Sequence, residues 1–166
     1  MKRLATATAL ALLMTAAFAG SAWARGGGWE PVSNQPFSFD ACGVTTNWTF
    51  PVDREYSRAT VDEQGIIHIQ LTGSLVATVE NADTGRSVTV NASGPAQDAQ
   101  IFPDGDFLFQ GTGHEIVALT PDQSAETGLP TLFLHKGPLQ ILFGADGSAT
   151  LVQIEGSITD LCPLIT

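Results

Sequence analysis

Alternation of apolar and polar residues is the feature that most constrains the fold of this 166-residue chain. In the segment 44–52 one parity carries Val44, Trp48 and Phe50, and the same pattern recurs at 88–92 and 139–143. A period of two places such side chains on one face of a β-strand. No stretch of ten or more residues sustains the period of 3.6 that a helix requires. The pattern therefore predicts an all-β protein.

Short polar segments separate the apolar runs. Four of them combine glycine with aspartate or asparagine, at 62–65, 81–85, 103–106 and 144–147. Glycine supplies positive φ in tight turns, and Asn or Asp bonds its own backbone there. Turns at this spacing are typical of antiparallel hairpins, and we expect roughly ten strands in one domain.

Two segments are unusually long for strands. The alternation from Ile67 to Val79 passes through Gly73 without a slip, and the alternation from Val152 onwards passes through Gly156. A glycine inside a strand marks a tight bend or a bulge. Long strands bent in this way are typical of a coiled sheet that closes on itself. We therefore predict a single antiparallel β-barrel, with a barrel-like sandwich as the alternative.

The two bends resemble each other in sequence. Residues 70–75 and 153–158 share glutamine, glycine and serine at equivalent positions, with aliphatic residues between them. We interpret the likeness as the need of both strands for glycine at a corner. The alternative is the trace of a duplicated half.

The N-terminal segment has the pattern of a secretory signal. Lys2 and Arg3 precede an apolar run at 4–18, and residues 22–24 form an A-x-A cleavage sequence. We therefore predict a signal peptide at 1–24, a flexible arm at 25–35 and an antiparallel β domain at 36–166. The expected location is secreted, or extracellular. No other apolar run approaches the roughly 20 residues of a membrane helix, so we expect no stable membrane insertion.

The charge balance excludes one class of partner. Seven Lys and Arg stand against 17 Asp and Glu, a net charge of −10, and removal of Lys2 and Arg3 makes it two units more negative. An electrostatic nucleic-acid binder needs the opposite sign. The acids fall mainly at turns, where they favour solubility. We interpret the group Asp98, Asp104 and Asp106 as such an acidic turn rather than a calcium site.

Cys42 and Cys162 are the two cysteines of the chain. An even number of cysteines in an exported protein favours a disulfide. Free thiols, a metal pair or a catalytic cysteine are the alternatives. A Cys42–Cys162 bridge would tie the first part of the sheet to the last.

Several short motifs resemble those of an uncharacterised group of secreted actinobacterial all-β proteins. They lie at 41–43, 54–56, 71–73, 87–95, 156 and 160–162. The resemblance covers the whole chain after the signal, and it implies export and a Cys42–Cys162 bridge, with no catalytic signature. A more distant analogy, to allene oxide cyclase-like and lipocalin-like barrels, depends on topology alone.

The segment 54–61 breaks the alternation. One parity carries Arg54, Tyr56 and Arg58, and the other begins with Glu55, so neither face is cleanly apolar. A buried charge is costly unless it is paired, so such residues mark a paired network or a wet cavity. We predict Arg54, Tyr56 and Arg58 as ligand-binding residues. The alternative is an edge strand with both faces solvated.

No catalytic motif, metal-ligand spacing or cofactor fingerprint stands out, so we predict no catalytic residue, no metal and no cofactor. We interpret His68, His114 and His135 as unrelated surface or rim residues. The polar segment 120–130 is interpreted as a long loop.

These observations support three hypotheses for function. The first is a secreted barrel that binds a small apolar or acidic ligand in its interior. The second is an extracellular structural or interaction protein that acts through its surface, with an unknown protein partner. The third is a cyclase- or isomerase-type enzyme that uses Arg54, Tyr56 and Glu55.

Overall fold

The computed structural model describes residues 28–166, apart from the side chains of 95–97. The predicted signal peptide, and the first residues of the predicted arm, lie outside the described residues. The described part is all-β, with twelve strands and two short helices. The strands are β1 (Glu30–Val32), β2 (Phe37–Ala41), β3 (Val44–Val61), β4 (Ile67–Asn81), β5 (Ser87–Asn91), β6 (Gly94–Ile101), β7 (Phe107–Gly111), β8 (His114–Ala118), β9 (Leu132–Lys136), β10 (Leu139–Phe143), β11 (Ala149–Ile154) and β12 (Ser157–Asp160). The helices are α1 (Pro121–Thr127) and α2 (Cys162–Ile165).

The strands form two antiparallel sheets. The larger has nine strands in the order β1-β3-β4-β6-β7-β10-β11, with β2 also paired to β3 and β5 to β4. The smaller has the order β12-β9-β8. The prediction of an all-β antiparallel fold is confirmed. A closed barrel is not found among residues 28–166, and a sandwich-like arrangement, the alternative, is consistent with the strand order.

The hairpin of β3 and β4 is the longest feature of the fold. β3 has 18 residues and β4 has 15. The half near Val44 and Asn81 pairs outward with β2 and β5, and the other half pairs with β1 and β6. The predicted bend at Gly73 lies between these halves. Gly73 has φ 135°, and a Cβ there would collide with the carbonyl oxygen of Arg54, so the position requires glycine.

Three further strand pairs continue across a corner of the structure. β7 continues into β8, β9 into β10, and β11 into β12. In each case the chain passes from one sheet to the other at or beside a glycine. Gly137 and Gly156 both have positive φ, and a Cβ on Gly137 would lie 3.3 Å from the Cα of Gly156. The chain bends at Gly156, but the prediction of a long strand that continues through it is wrong, because β11 ends at Ile154 in the large sheet and β12 begins at Ser157 in the small one. The two backbones approach closely there because neither residue has a side chain.

The smaller sheet contributes to two hydrophobic clusters. Ala118 and Leu132 lie in the first cluster, together with Trp48 of β3 and Val79 of β4. Alternate residues of the same strands lie in the second cluster, which includes Val117, Leu119, Phe133, Leu139 and Ile141. Because successive side chains of a strand point to opposite faces, β8 and β9 are buried on both sides.

Cys42 and Cys162 form a disulfide, as predicted. Their Cα atoms are 5.2 Å apart, and both residues pack at the edge of the first cluster. Cys42 follows β2 and Cys162 follows β12, so the bridge joins the first part of the large sheet to the last strand of the small one.

The segment 120–130 is not the loop that the sequence predicts, because it contains α1. Thr120 caps this helix: its hydroxyl accepts from the Gln123 backbone, and the Gln123 side chain accepts from the Thr120 backbone. A capping box followed by proline is a sequence signal for the start of a helix. A helix of seven residues is too short to show a 3.6-residue periodicity, so the capping box is the signal that could have predicted it.

Candidate binding face

The three residues predicted to bind a ligand lie together on one face of β3. Arg54 is opposite Ser74 of β4, Tyr56 is opposite Thr72, and Arg58 is opposite Gln70. All three are exposed, and Tyr56 keeps 48% of its surface accessible. We call this side of the large sheet the outer face. The prediction of an interior site required the closed barrel, whereas these side chains lie on the outside.

Glu55 belongs to the opposite face and has its own partners. The Asn34 side chain donates to Glu55 at 2.9 Å and to Asp53 at 3.2 Å, and the Asn34 backbone donates to Asp53 at 2.6 Å. Burial raises the pKa of the Glu55 carboxyl, the Asn34 bond opposes that rise, and the nearby Asp53 charge adds to it. The enzyme hypothesis requires Arg54, Tyr56 and Glu55 to meet at one substrate. Glu55 instead lies on the opposite face of β3 from the other two.

The raised pKa of Glu55 makes a prediction about stability and pH. Folding favours the protonated carboxyl, so ionised Glu55 weakens the native state once the pH exceeds its ordinary value of 4.5. We expect Glu55→Gln to raise the thermal midpoint at pH 7, with a gain that fades as the pH falls below 4.5. Thermal unfolding followed by circular dichroism between pH 3 and 8 measures this.

Glu63→Gln is the matched control, because it removes the same charge at an exposed turn. An equal gain in both variants would mean that general charge reduction, rather than burial of Glu55, is responsible. A lower midpoint for Glu55→Gln at pH 7 would contradict the prediction outright.

Strand register aligns a row of polar side chains across the outer face. Arg58 pairs with Gln70, Gln70 with Asp98, Asp98 with Gln110, Gln110 with Gln140, and Gln140 with Gln153. In the order of the large sheet, five strands follow β3, and each carries one further member of this row. We call these five residues the amide row: Gln70, Asp98, Gln110, Gln140 and Gln153. With neighbouring strands about 4.8 Å apart, the amide row is about 19 Å long.

Trp29 extends this row at the β3 end. Glu30 pairs with Ser57, so Trp29 lies beside Arg58, and the Arg58 guanidinium is 5.0 Å from the centre of the indole ring. Arg58 also donates through Nε to the Gln70 side chain at 2.6 Å. Trp29 keeps 44% of its surface exposed. The row therefore begins with an accessible aromatic ring and a positive charge that is already oriented.

Most of the amide row has unused hydrogen-bonding capacity. Among the described residues, the side chains of Gln110 and Gln140 make no hydrogen bond to another residue, and both are partly exposed. A glutamine amide offers two donors and an acceptor. These groups are therefore free to bond water or a ligand.

Asp98 is the acidic member of the row and is incompletely bonded. Its Oδ1 is buried and is the one buried side-chain oxygen or nitrogen of the described residues without a hydrogen-bond partner. Leaving a buried acceptor unsatisfied costs about 1–3 kcal/mol, and a charged group more. A native structure that keeps such an atom calls for an explanation.

A second row runs beside the amide row on the outer face. Its members in register are Thr60, His68, Gln100, Leu108, Leu142 and Thr150. His68 contacts the Asp62 carboxylate at 2.9 Å, and this contact helps to lower the pKa of Asp62. His68 and Asp62 are thus paired with each other, and the other members of this row are uncharged side chains.

The sequence predicted that His135 is a surface or rim residue, but the structure buries it fully. Its Nδ1 lies 3.4 Å from Glu115, and its Nε2 lies 2.9 Å from the Glu155 carbonyl oxygen. Because a carbonyl oxygen can only accept, His135 donates to it through Nε2. Glu115 also accepts from the Gly113 backbone at 2.7 Å. Both side chains are thus buried and bonded to the backbone of neighbouring residues, and we interpret the pair as structural.

Sequence reasoning missed the amide row, although its parts were visible. Gln70 and Gln153 are the equivalent glutamines of the two similar bends, and Gln110 and Gln140 each hold a polar position in an alternating strand. Periodicity predicts the face on which each side chain lies, but the row depends on pairing between β7 and β10, which are far apart in the chain.

Comparison with known proteins adds no relative: no family model, curated protein or solved structure matches the chain. Within the described residues no helix is long and apolar enough to cross a membrane. Over the same residues, no three His, Cys, Asp or Glu side chains are grouped so that they could hold a metal ion.

Proposed function

We propose that this chain is an extracellular binding protein that takes an extended polar ligand across the outer face of its large sheet. This develops the hypothesis of an interaction protein that acts through its surface. The observation that carries the proposal is the amide row, with one polar side chain in register on each of five neighbouring strands of the large sheet.

An interior ligand is the weaker explanation, because the large side chains Trp48 and Phe133 are buried within the two clusters. Export fits the disulfide, since such bonds persist in oxidising surroundings. An extended ligand fits the shape of the row, which crosses the strands in a line rather than surrounding a point. Arg58, one of the residues predicted from sequence, lies at the end of this line, and Tyr56 lies two residues away on the same face of β3.

The test compares variants in affinity electrophoresis through gels that contain one polymer each. The probes are dextran and a soluble β-glucan as neutral chains, alginate as a polyanion, chitosan as a polycation, and gelatin as a polypeptide. We expect at least one polymer to retard the wild-type protein. The double variant Gln110→Ala/Gln140→Ala should lose most of that retardation, because two hydrogen-bonding amides weaken binding by about tenfold or more when removed.

The matched control is Gln35→Ala/Gln64→Ala, which removes two exposed glutamines away from the amide row. It should be retarded like the wild type. Equal retardation of both double variants, or no retardation of the wild type by any polymer, would overturn the proposal.

A further inference from the structure

We infer that the ligand of the outer face is an uncharged polyhydroxylated chain, that is, a neutral polysaccharide, and that Asp98 is a specificity-determining acceptor for its hydroxyl groups. This inference rests on the proposed function. It goes further by naming the ligand chemistry and one residue that selects it.

The charge of the face argues against a charged polymer. The row from Arg58 to Gln153 contains one base and one acid, and all its other members are amides. The rest of the protein is strongly acidic, with a net charge of −10, and repels a polyanion. A polycation would require several carboxylates along the row, whereas Asp98 is the single acid among its members and Glu155 bonds Gln153 at its far end.

The hydrogen-bonding chemistry favours hydroxyl groups. A sugar hydroxyl both donates and accepts, and a glutamine amide does the same, so the two groups pair in either direction. Successive amides recur about every 4.8 Å along the row, which gives a linear chain repeated contacts. A polypeptide also has donors and acceptors, but an outer face used for a peptide would offer the backbone of a sheet edge instead.

The aromatic residues at the β3 end complete the argument. Trp29 and Tyr56 are both among the exposed large hydrophobic residues, and Pro31 of β1 lies opposite Tyr56. An aromatic ring combines an apolar surface with a polar edge. The C–H face of a sugar ring can pack on that surface while its hydroxyl groups reach the amides beyond.

Asp98 supplies the acceptor for which the chain itself provides no donor. Its Oδ1 has no partner among the described residues, and it stands between Gln70 and Gln110. Because this oxygen is buried, a ligand hydroxyl would reach the carboxylate at its other oxygen, which belongs to the partly exposed part of the residue.

The test uses the full-length protein, exported and processed by a bacterial host, with the same five polymers. We expect dextran or the β-glucan to retard the wild type, and alginate and chitosan to leave it unretarded. Retardation by alginate, chitosan or gelatin alone, lost in Gln110→Ala/Gln140→Ala, would overturn the neutral ligand and leave the proposed function standing. No retardation by any polymer would instead remove the proposed function itself.

Asp98→Asn tests the role of the acceptor, because it keeps the shape of the side chain and supplies a donor of its own. We expect the affinity for the neutral polymer to fall about five- to tenfold, as for the loss of a hydrogen bond to a charged group. The thermal midpoint should stay the same or rise, since the unsatisfied carboxylate is removed. A lower midpoint with unchanged affinity would show that Asp98 is only structural and would overturn its assignment.

Discussion

Removing the disulfide with the double variant Cys42→Ser/Cys162→Ser is expected to destabilise the protein by about 5 kcal/mol. The bridge closes a loop with a sequence separation of 120, and in the chain-entropy account so long a loop strongly restricts the unfolded chain. For a domain of this size, that loss lowers the thermal midpoint by about 15 °C. Urea titration of the oxidised wild type and the variant measures the difference.

Wild-type protein reduced with dithiothreitol is the control, because it loses the bridge without any change of sequence. It should unfold at the same urea concentration as the double variant. If the oxidised and reduced wild-type proteins unfold together, the bridge contributes no stability and the prediction fails.

Gly73→Ala is expected to destabilise the protein by about 4 kcal/mol, and Gly156→Ala by a similar amount. The new Cβ would collide with a backbone carbonyl of the neighbouring strand, that of Arg54 or that of Lys136, and a backbone cannot move aside as a flexible side chain can. Positive φ adds to the cost, because L-residues avoid that region. Together these effects fall at the upper end of single substitutions.

Gly147→Ala separates the two causes. Gly147 also has positive φ, but nothing lies within 4 Å of the position that its Cβ would occupy. We expect it to cost about 1–2 kcal/mol, the price of the backbone conformation alone. Equal losses in urea titrations of all three variants would show that close strand contact at the bends does not limit the substitution.

The interior of the protein shows where a local pattern is insufficient. The alternation in 114–118 and 132–136 indicates strands, but it cannot show that β8 and β9 are buried on both faces. His135 was therefore assigned to the surface, whereas the small sheet lies between two clusters and brings Glu115 against it. The two residues are 20 positions apart, and their contact depends on how β8 pairs with β9.

The prediction of a closed barrel is wrong for a related reason. Positive φ at Gly73 and Gly156 is a local property of the chain, and both glycines have it, although Gly156 lies between two strands rather than within one. Closure instead requires the first and last strands of one sheet to meet. Here the chain crosses from the large sheet into the small one beside Gly137 and Gly156, so the strands divide between two sheets. A glycine bend permits either outcome, because it allows a change of direction without choosing the partner.

The sequence by itself determined the all-β class, the long bent strand at Gly73 and the common face of Arg54, Tyr56 and Arg58, and it favoured the Cys42–Cys162 bridge. Each follows from a period of two, from a turn residue or from a pair with one available partner. Only the tertiary structure decided the division into two sheets, the burial of His135 and the alignment of Gln110 with Gln140. Those depend on pairing between distant strands, whose register is set by packing across the whole domain.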